Sequence, residues 1–172
     1  MKLWTLQERN IRVDLSSHQL LASWDYAPRN WHNAYRWMVA QWSKQTGLSF
    51  ESAPFWCWHS CNGTYNAPPT VGTASLLIGD WKYAKSTVLV ELNVPDELCL
   101  LSSYSIWNDA LDDFLEYKRT TIQGSKFAAM FDEPLLKHSM DDIQAVIPYI
   151  MSDWIVDIRN LPASEGNWDI TI

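Results

Sequence analysis

The stretch TVLVELNVPDELCLLSSYSIW, from Thr87 to Trp107, decides the fold class. Apolar side chains recur two positions apart in its first half, at Val88, Val90, Leu92 and Val94. A period of two residues predicts a β-strand with one buried face. Pro95 and Asp96 then end the strand, because proline donates no backbone hydrogen bond and aspartate favours turns.

A second apolar run, Leu98 to Leu101, predicts a short strand that leads into a helix. Ser102 and Ser103 are good N-cap residues for that helix. Its apolar stripe is predicted at Tyr104, Trp107, Leu111, Phe114 and Leu115. The centre of the chain therefore reads as strand, turn, short strand and helix.

Further elements follow on either side of this centre. We predict strands over Lys2–Gln7, Pro54–His59, Thr73–Ile78, Ile143–Ile150, Trp154–Ile158 and Trp168–Ile172. A short helix is predicted over His18–Ala22, and a longer one begins at Asn30 and ends at Gly47. Pro148 predicts that its strand is bulged or at a sheet edge. The whole chain, 1–172, is predicted to be one α+β domain, with amphipathic helices packed on a mostly antiparallel sheet.

Composition narrows the class of function. A net charge of −7 argues against nucleic-acid binding and suits a basic protein partner. No segment reads as a signal peptide or a membrane span, and three cysteines are too few for a disulfide scaffold. We therefore expect a cytoplasmic protein.

Eleven tryptophans are the unusual feature of the composition. They fit a core built on large aromatic side chains. They also fit an aromatic recognition surface, because tryptophan is enriched at binding hot spots. Composition does not separate these two interpretations.

The sequence carries no complete catalytic motif. It has no G-x-S-x-G, no phosphate-binding glycine loop and no G-x-G-x-x-G, and only six glycines. Cys57, His59 and Cys61 would share one face of a continuous strand and could suit zinc. Zinc sites need four ligands, and only one cysteine lies elsewhere, so buried thiols beside an aromatic strand are favoured. We predict no catalytic residue, no metal site and no cofactor.

Two candidate surfaces remain. Asp109, Asp112, Asp113 and Glu116 crowd the outer face of the helix that follows Ser103. A solvated helix face is the plainer interpretation, and docking of a basic partner is the functional one. A ligand cleft is the other candidate, formed by polar and aromatic residues of the predicted strands: Trp4, Gln7, Trp56, Trp58 and Gln144. The plainer interpretation of Gln7 and Gln144 is that they are the polar residues ordinarily found on edge strands.

Several segments together resemble a known family. They are LWTLQ (3–7), AYRWM (34–38), PFWCWH (54–59), VLVELNVPD (88–96), LLSSYSIW (100–107) and IQAVIPYIMSDWIVDIR (143–159). Their order and content resemble the bacterial family named domain of unknown function 3841. The resemblance spans nearly the whole chain and implies one domain, without an assigned activity.

The chain departs from this family in one segment. Relatives carry an acidic residue and a histidine after the central strands, where this chain has Ser103 or Ser105 and Asn108. If those residues serve a reaction in relatives, the resemblance implies that this chain has lost it. A more distant likeness is to ADP-ribosyltransferase-like folds, with Gln7 and Gln144 in loosely similar places.

Two hypotheses follow. The preferred one is a non-catalytic, acidic interaction protein, for example one that neutralises a basic partner such as a toxin. The alternative is an ADP-ribosyltransferase-like enzyme that binds NAD in the aromatic cleft. The sequence does not indicate an oligomeric state.

Overall fold

A computed structural model describes residues 1–11, 18–70, 73, 86–122 and 125–161. Eight strands lie in these ranges: β1 (Lys2–Glu8), β2 (Gln19–Leu20), β3 (Phe55–Ser60), β4 (Thr87–Asn93), β5 (Leu100–Ser103), β6 (Ile143–Ile147), β7 (Ile150–Met151) and β8 (Ile155–Asn160). Six of them form one antiparallel sheet in the order β5-β6-β3-β1-β4-β8, and β2 pairs with β7. The α+β prediction is confirmed.

The predicted central strand is β4, which lies between β1 and β8. It pairs with β1 along its whole length, from Lys2 opposite Asn93 to Glu8 opposite Thr87. Its second face is also buried, because Leu89 and Glu91 are 1% and 8% exposed. The sequence prediction of one buried face was therefore too narrow.

Three α-helices lie in the described residues: α1 (His32–Thr46), α2 (Tyr104–Tyr117) and α3 (Glu133–Lys137). α2 follows β5 without a loop, and the Ser103 hydroxyl accepts a hydrogen bond from the Ile106 amide at 3.3 Å, as predicted for an N-cap. Its buried side chains include Trp107, Leu111 and Phe114. The predicted helix at the centre of the chain is confirmed.

The start of α1 differs from the prediction. Asn30 lies inside a 3₁₀ turn, Arg29–Trp31, and α1 begins at His32 with no side-chain cap. Pro28 precedes this turn, and its carbonyl accepts a hydrogen bond from the Trp31 amide at 2.8 Å. Gly47 ends the helix at a φ of 74°, as predicted, because glycine adopts left-handed angles without a steric cost.

Two other predictions need correction, and two fall largely or wholly outside the described residues. His18–Ala22 holds the short strand β2 instead of a helix. β6 ends at Ile147, before Pro148, and lies between β5 and β3, so it is neither bulged by Pro148 nor an edge strand. Of Thr73–Ile78, only Thr73 is described, and Trp168–Ile172 lies outside the described residues.

The buried side chains form two clusters. The larger joins α1 and α2 to the sheet and includes Met38, Trp42 and Trp107. The smaller consists of Trp4, Trp58, Cys61, Leu89 and Leu161, with half-buried Leu6 and Tyr104 at its margin. The aromatic residues of the described chain thus contribute heavily to its core.

Candidate functional site

Strand register brings several of the predicted cleft residues into one row across the sheet. Trp4 of β1 lies opposite Trp58 of β3, and Trp58 lies opposite Gln144 of β6. Gln144 in turn lies opposite Ser102 of β5. Directly opposed residues of antiparallel strands point to the same face, so these four side chains line one side of the sheet.

The remaining two cleft residues take different places. Trp56 lies on the same face as Trp58, two residues along β3. Gln7 lies opposite Val88 on the other face, where its side-chain amide donates to the Thr5 hydroxyl at 2.9 Å. The structure therefore gathers Trp4, Trp56, Trp58 and Gln144 and separates Gln7 from them.

This row lies under the first turns of α2. Tyr104 packs edge-on against Trp58 with ring centroids 4.9 Å apart, and Trp107 packs against Trp56 at 5.0 Å. Tyr35 of α1 completes the cluster, 5.2 Å from Trp56. Burial raises the pKa of the Tyr35 phenol to about 12, so this hydroxyl stays protonated at physiological pH.

Burial limits what the row can contact. Trp4, Trp58 and Gln144 are 3%, 7% and 4% exposed, whereas Trp56 and Tyr104 are half-buried. An extended dinucleotide such as NAD would reach the buried members only after α2 moved. The NAD-binding alternative stays a prediction.

Two buried polar atoms in this row have no hydrogen-bond partner: Ser102 Oγ and Gln144 Nε2. Ser102 and Gln144 are register partners, yet they do not bond to each other. An unsatisfied buried donor costs about 1–3 kcal/mol of folding free energy. Two such atoms on directly opposed residues are unusual, since most buried polar side-chain atoms have a partner.

The neighbouring carboxylate on this face is fully paired. Glu91, opposite Trp4, accepts a hydrogen bond from the Trp4 indole at 3.3 Å. The same carboxylate binds Lys2 Nζ at 3.0 Å and Arg159 Nη2 at 3.2 Å. Two cations and an indole compensate its burial, so Glu91 serves the fold.

A second polar group lies where β5 passes into α2. The Asp141 carboxylate accepts hydrogen bonds from the Ser103 hydroxyl, from the Ser105 amide at 3.0 Å and from the Ser105 hydroxyl at 2.8 Å. A carboxylate at a helix N-terminus is favoured by the helix dipole. Ser103 and Ser105 therefore hold the start of α2 through Asp141.

The predicted acidic surface lies on the outer side of α2. Asp109, Asp112 and Glu116 are exposed, whereas Asp113 is half-buried and lies 3.9 Å from the Arg119 guanidinium. The opposite side of the same helix is anchored in the core by Trp107, Ala110, Leu111 and Phe114. α2 thus presents exposed carboxylates on a well-anchored element.

The cysteines and His59 do not assemble into one group. A register shift between Trp58 and Ser60 interrupts the strand, so Cys57 lies in the larger core cluster and Cys61 in the smaller one. Burial raises the pKa of all three thiols, that of Cys99 to about 12, which disfavours the reactive thiolate. Within the described ranges, no three His, Cys, Asp or Glu side chains are placed to hold a metal ion.

His59 is buried and bonded to a hydroxyl. Its Nδ1 lies 2.8 Å from Ser60 Oγ, and its ring packs edge-on against Tyr65 at 4.8 Å. Burial, followed by the positive charge of the N-terminal amine, lowers its pKa. The Ser60 hydroxyl also accepts a hydrogen bond from the Asn66 amide at 2.9 Å, so this group fixes the segment after β3.

A separate groove of about 430 Å³ lies beyond the end of α1, lined by Trp42, Phe50, Leu98 and Tyr149 among others. Its most buried polar atom, Trp42 Nε1, already donates to the Leu98 carbonyl at 2.8 Å.

No described helix is long and apolar enough to cross a bilayer.

Sequence reasoning missed Ser102 and Asp141 as members of polar groups. Ser102 was interpreted only as a helix cap, and its place in a row with Gln144 depends on the register of β5 against β6. Asp141 follows no motif and lies 38 positions from Ser103. The alternation of side-chain direction along β6 could have assigned Gln144 to one face of the sheet. It could not have shown that Gln144 lies opposite Ser102.

Comparison with known proteins identifies the family. The family model described as domain of unknown function (DUF3841) matches residues 2–154. No curated protein and no solved structure gives a significant match. Because the match covers most of the chain, the protein belongs to the DUF3841 family.

Proposed function

We propose that this protein is a non-catalytic binding protein that docks a basic protein partner through the outer face of α2. The observation that carries the proposal is the set of exposed carboxylates of Asp109, Asp112 and Glu116 along one side of a helix whose other side is buried. Neutralising a basic toxin is one biological role that would use such a surface.

The charge distribution supports this function. The net charge of −7 gives the molecule a negative field that attracts a basic partner and speeds association. Asp109, Asp112 and Glu116 follow helical spacing, so a partner would meet them together. Such complementarity sets partner choice and association rate more than it sets affinity.

The rigidity of α2 supports the same function. Trp107 and Phe114 hold the helix against the core, and Asp141 holds its first turn through Ser103 and Ser105. A surface on an anchored helix loses little conformational entropy on binding, and this preserves affinity.

The test uses charge reversal on α2. Asp112→Lys with Glu116→Lys reverses the exposed carboxylates, and Asp25→Lys with Glu51→Lys makes the same change in net charge at exposed residues outside α2. Each variant and the wild type are titrated by calorimetry with a panel of small basic proteins. We expect the α2 variant to bind at least about tenfold more weakly and the control to bind nearly as the wild type does.

Salt dependence adds an independent measurement. Raising the ionic strength from about 0.05 M to about 0.5 M should weaken wild-type binding strongly, because rim charges are screened. Equal losses in the α2 and control variants would show that only net charge matters and would contradict docking at α2. Absence of binding to any basic protein tested would count against the function itself.

A further inference from the structure

We propose that the sheet face beneath the first turns of α2 binds the carbonyl oxygen of a small, neutral, planar molecule. The hydrogen-bond donors to this oxygen are Gln144 Nε2 and Ser102 Oγ. This site lies on the inner side of α2 and does not depend on the acidic outer face.

The two donors share one place in the fold. Ser102 and Gln144 face each other across β5 and β6, and Trp56 lies diagonally across from Gln144 on β3. Ser102 is fully buried and Gln144 is 4% exposed, so bulk water does not satisfy them. Since the two donors do not bond to each other, their hydrogen-bonding capacity is available to a third group.

The chemistry of these atoms selects the ligand. An amide nitrogen is a donor only, and a serine hydroxyl can donate, so the matching group is an acceptor such as a carbonyl oxygen. Asp141 and Asp142 directly precede β6 and are close in sequence to Gln144. Their negative charge disfavours an anion, which leaves a neutral acceptor.

The surroundings select a planar molecule. Trp56 packs with Trp107, and Trp58 packs with Tyr104, so aromatic rings flank the donors. Few polar atoms within aromatic walls are typical of small-molecule sites. Trp56 and Tyr104 are half-buried, so part of this aromatic wall meets solvent.

Ligand-observed NMR titration tests the proposal with named probes. Nicotinamide and uracil are planar and carry carbonyl oxygens, whereas toluene is planar and carries none. We expect saturable binding of at least one carbonyl probe with a Kd of about 1 mM or below, and little binding of toluene. Ser102→Ala and Gln144→Met should each weaken that binding about tenfold.

Gln7→Met is the matched control, because Gln7 is a glutamine of the same sheet on the opposite face. It should leave probe binding unchanged. Melting temperatures measured without probe show whether a variant loses binding because it is unfolded. The Gln144→Met variant should melt at or above the wild-type temperature, since the substitution removes an unsatisfied group.

Four outcomes would overturn the proposal. They are no saturable binding of either carbonyl probe at about 10 mM, binding of toluene equal to that of the carbonyl probes, equal loss in Gln7→Met, and a crystal structure with only an ordered water at the two donors. A double-mutant cycle on thermal stability adds a fifth: strong coupling between Ser102→Ala and Gln144→Met would show that the two bond to each other.

Discussion

Two polar groups lie within a few residues of each other on β5 and β6, and they differ in how well their atoms are satisfied. In the first, Asp141 receives three hydrogen bonds from Ser103 and Ser105. In the second, Ser102 and Gln144 lie opposite each other with no partner for Oγ or Nε2. Ser102 and Ser103 are adjacent in sequence but point to opposite faces of the sheet.

The difference separates a structural role from a binding role. A group whose hydrogen bonds are all made stabilises the fold, so the protein should lose stability when one member of the group is removed. An unsatisfied group costs stability, and its removal should be harmless or favourable unless a ligand is bound. Stability measurements on matched variants therefore distinguish the two groups.

The largest effect is expected at Asp141. Asp141→Ala removes three hydrogen bonds and leaves the buried Ser103 hydroxyl without its strongest acceptor, so it should lower the free energy of unfolding by about 3 kcal/mol. Urea unfolding followed by tryptophan fluorescence measures this value. Asp112→Ala, on the exposed side of α2, is the control and should change it by less than about 0.5 kcal/mol. Equal values for both variants would remove the basis for calling the Asp141 group structural.

An intermediate effect is expected at Asp132, which caps α3 with a single bond. Its carboxylate accepts from the Leu135 amide at 3.2 Å. Asp132→Ala should cost about 1 kcal/mol, a typical loss for an N-cap. Urea unfolding under the same conditions checks the value. A loss as large as that of Asp141→Ala would contradict the expectation that the loss of unfolding free energy grows with the number of hydrogen bonds removed.

A smaller, pH-dependent effect is expected at His59. Because burial lowers its pKa, the unfolded chain binds more protons than the folded chain between the folded pKa and the ordinary value near 6.5. Stability should therefore be full above pH of about 6.5, fall as the pH drops through that value, and level off below the folded pKa.

His59→Phe should remove this part of the pH dependence, and His138→Phe, at an exposed position, should keep it. Unfolding free energies measured at several pH values between about 7.5 and 5.5 provide the comparison. A fall in stability that is the same in His59→Phe and in the wild type would assign it to other groups.

The smallest effect is expected at Gln144. Gln144→Met should change the free energy of unfolding by less than about 0.5 kcal/mol or raise it, because the side chain is replaced by an apolar one of similar size. Urea unfolding of the protein without ligand measures it. A loss of about 2 kcal/mol would mean that the Gln144 amide is satisfied in solution and would erase the contrast with Asp141.

Local patterns predicted much of this fold. The alternation of Val88, Val90 and Leu92 identified β4, the serines before Tyr104 identified the start of α2, and Gly47 identified the end of α1. These signals depend on neighbours in the sequence, so they can be interpreted without the tertiary structure.

Features that depend on long-range pairing were not predictable in the same way. Whether Gln7 and Gln144 share a face depends on the register of three strands, and one of them, β3, carries an irregularity after Trp58. Pro148 misled the prediction because the strand ends just before it. The partners of Asp141 come from another part of the chain, and no local pattern indicates them.

The place of β1 in the sheet has a consequence for how the chain reaches its native state. β1 lies between β3 and β4, and Leu3 is paired with Leu92. During synthesis this apolar strand must wait until β4 has emerged before both of its edges are covered. Pairings so distant in sequence slow folding, because loop-closure entropy is lost before the contacts form. Refolding should therefore be slow for a chain of this size. Before β4 pairs with it, β1 has an unpaired edge, and other chains would associate with the protein at that edge.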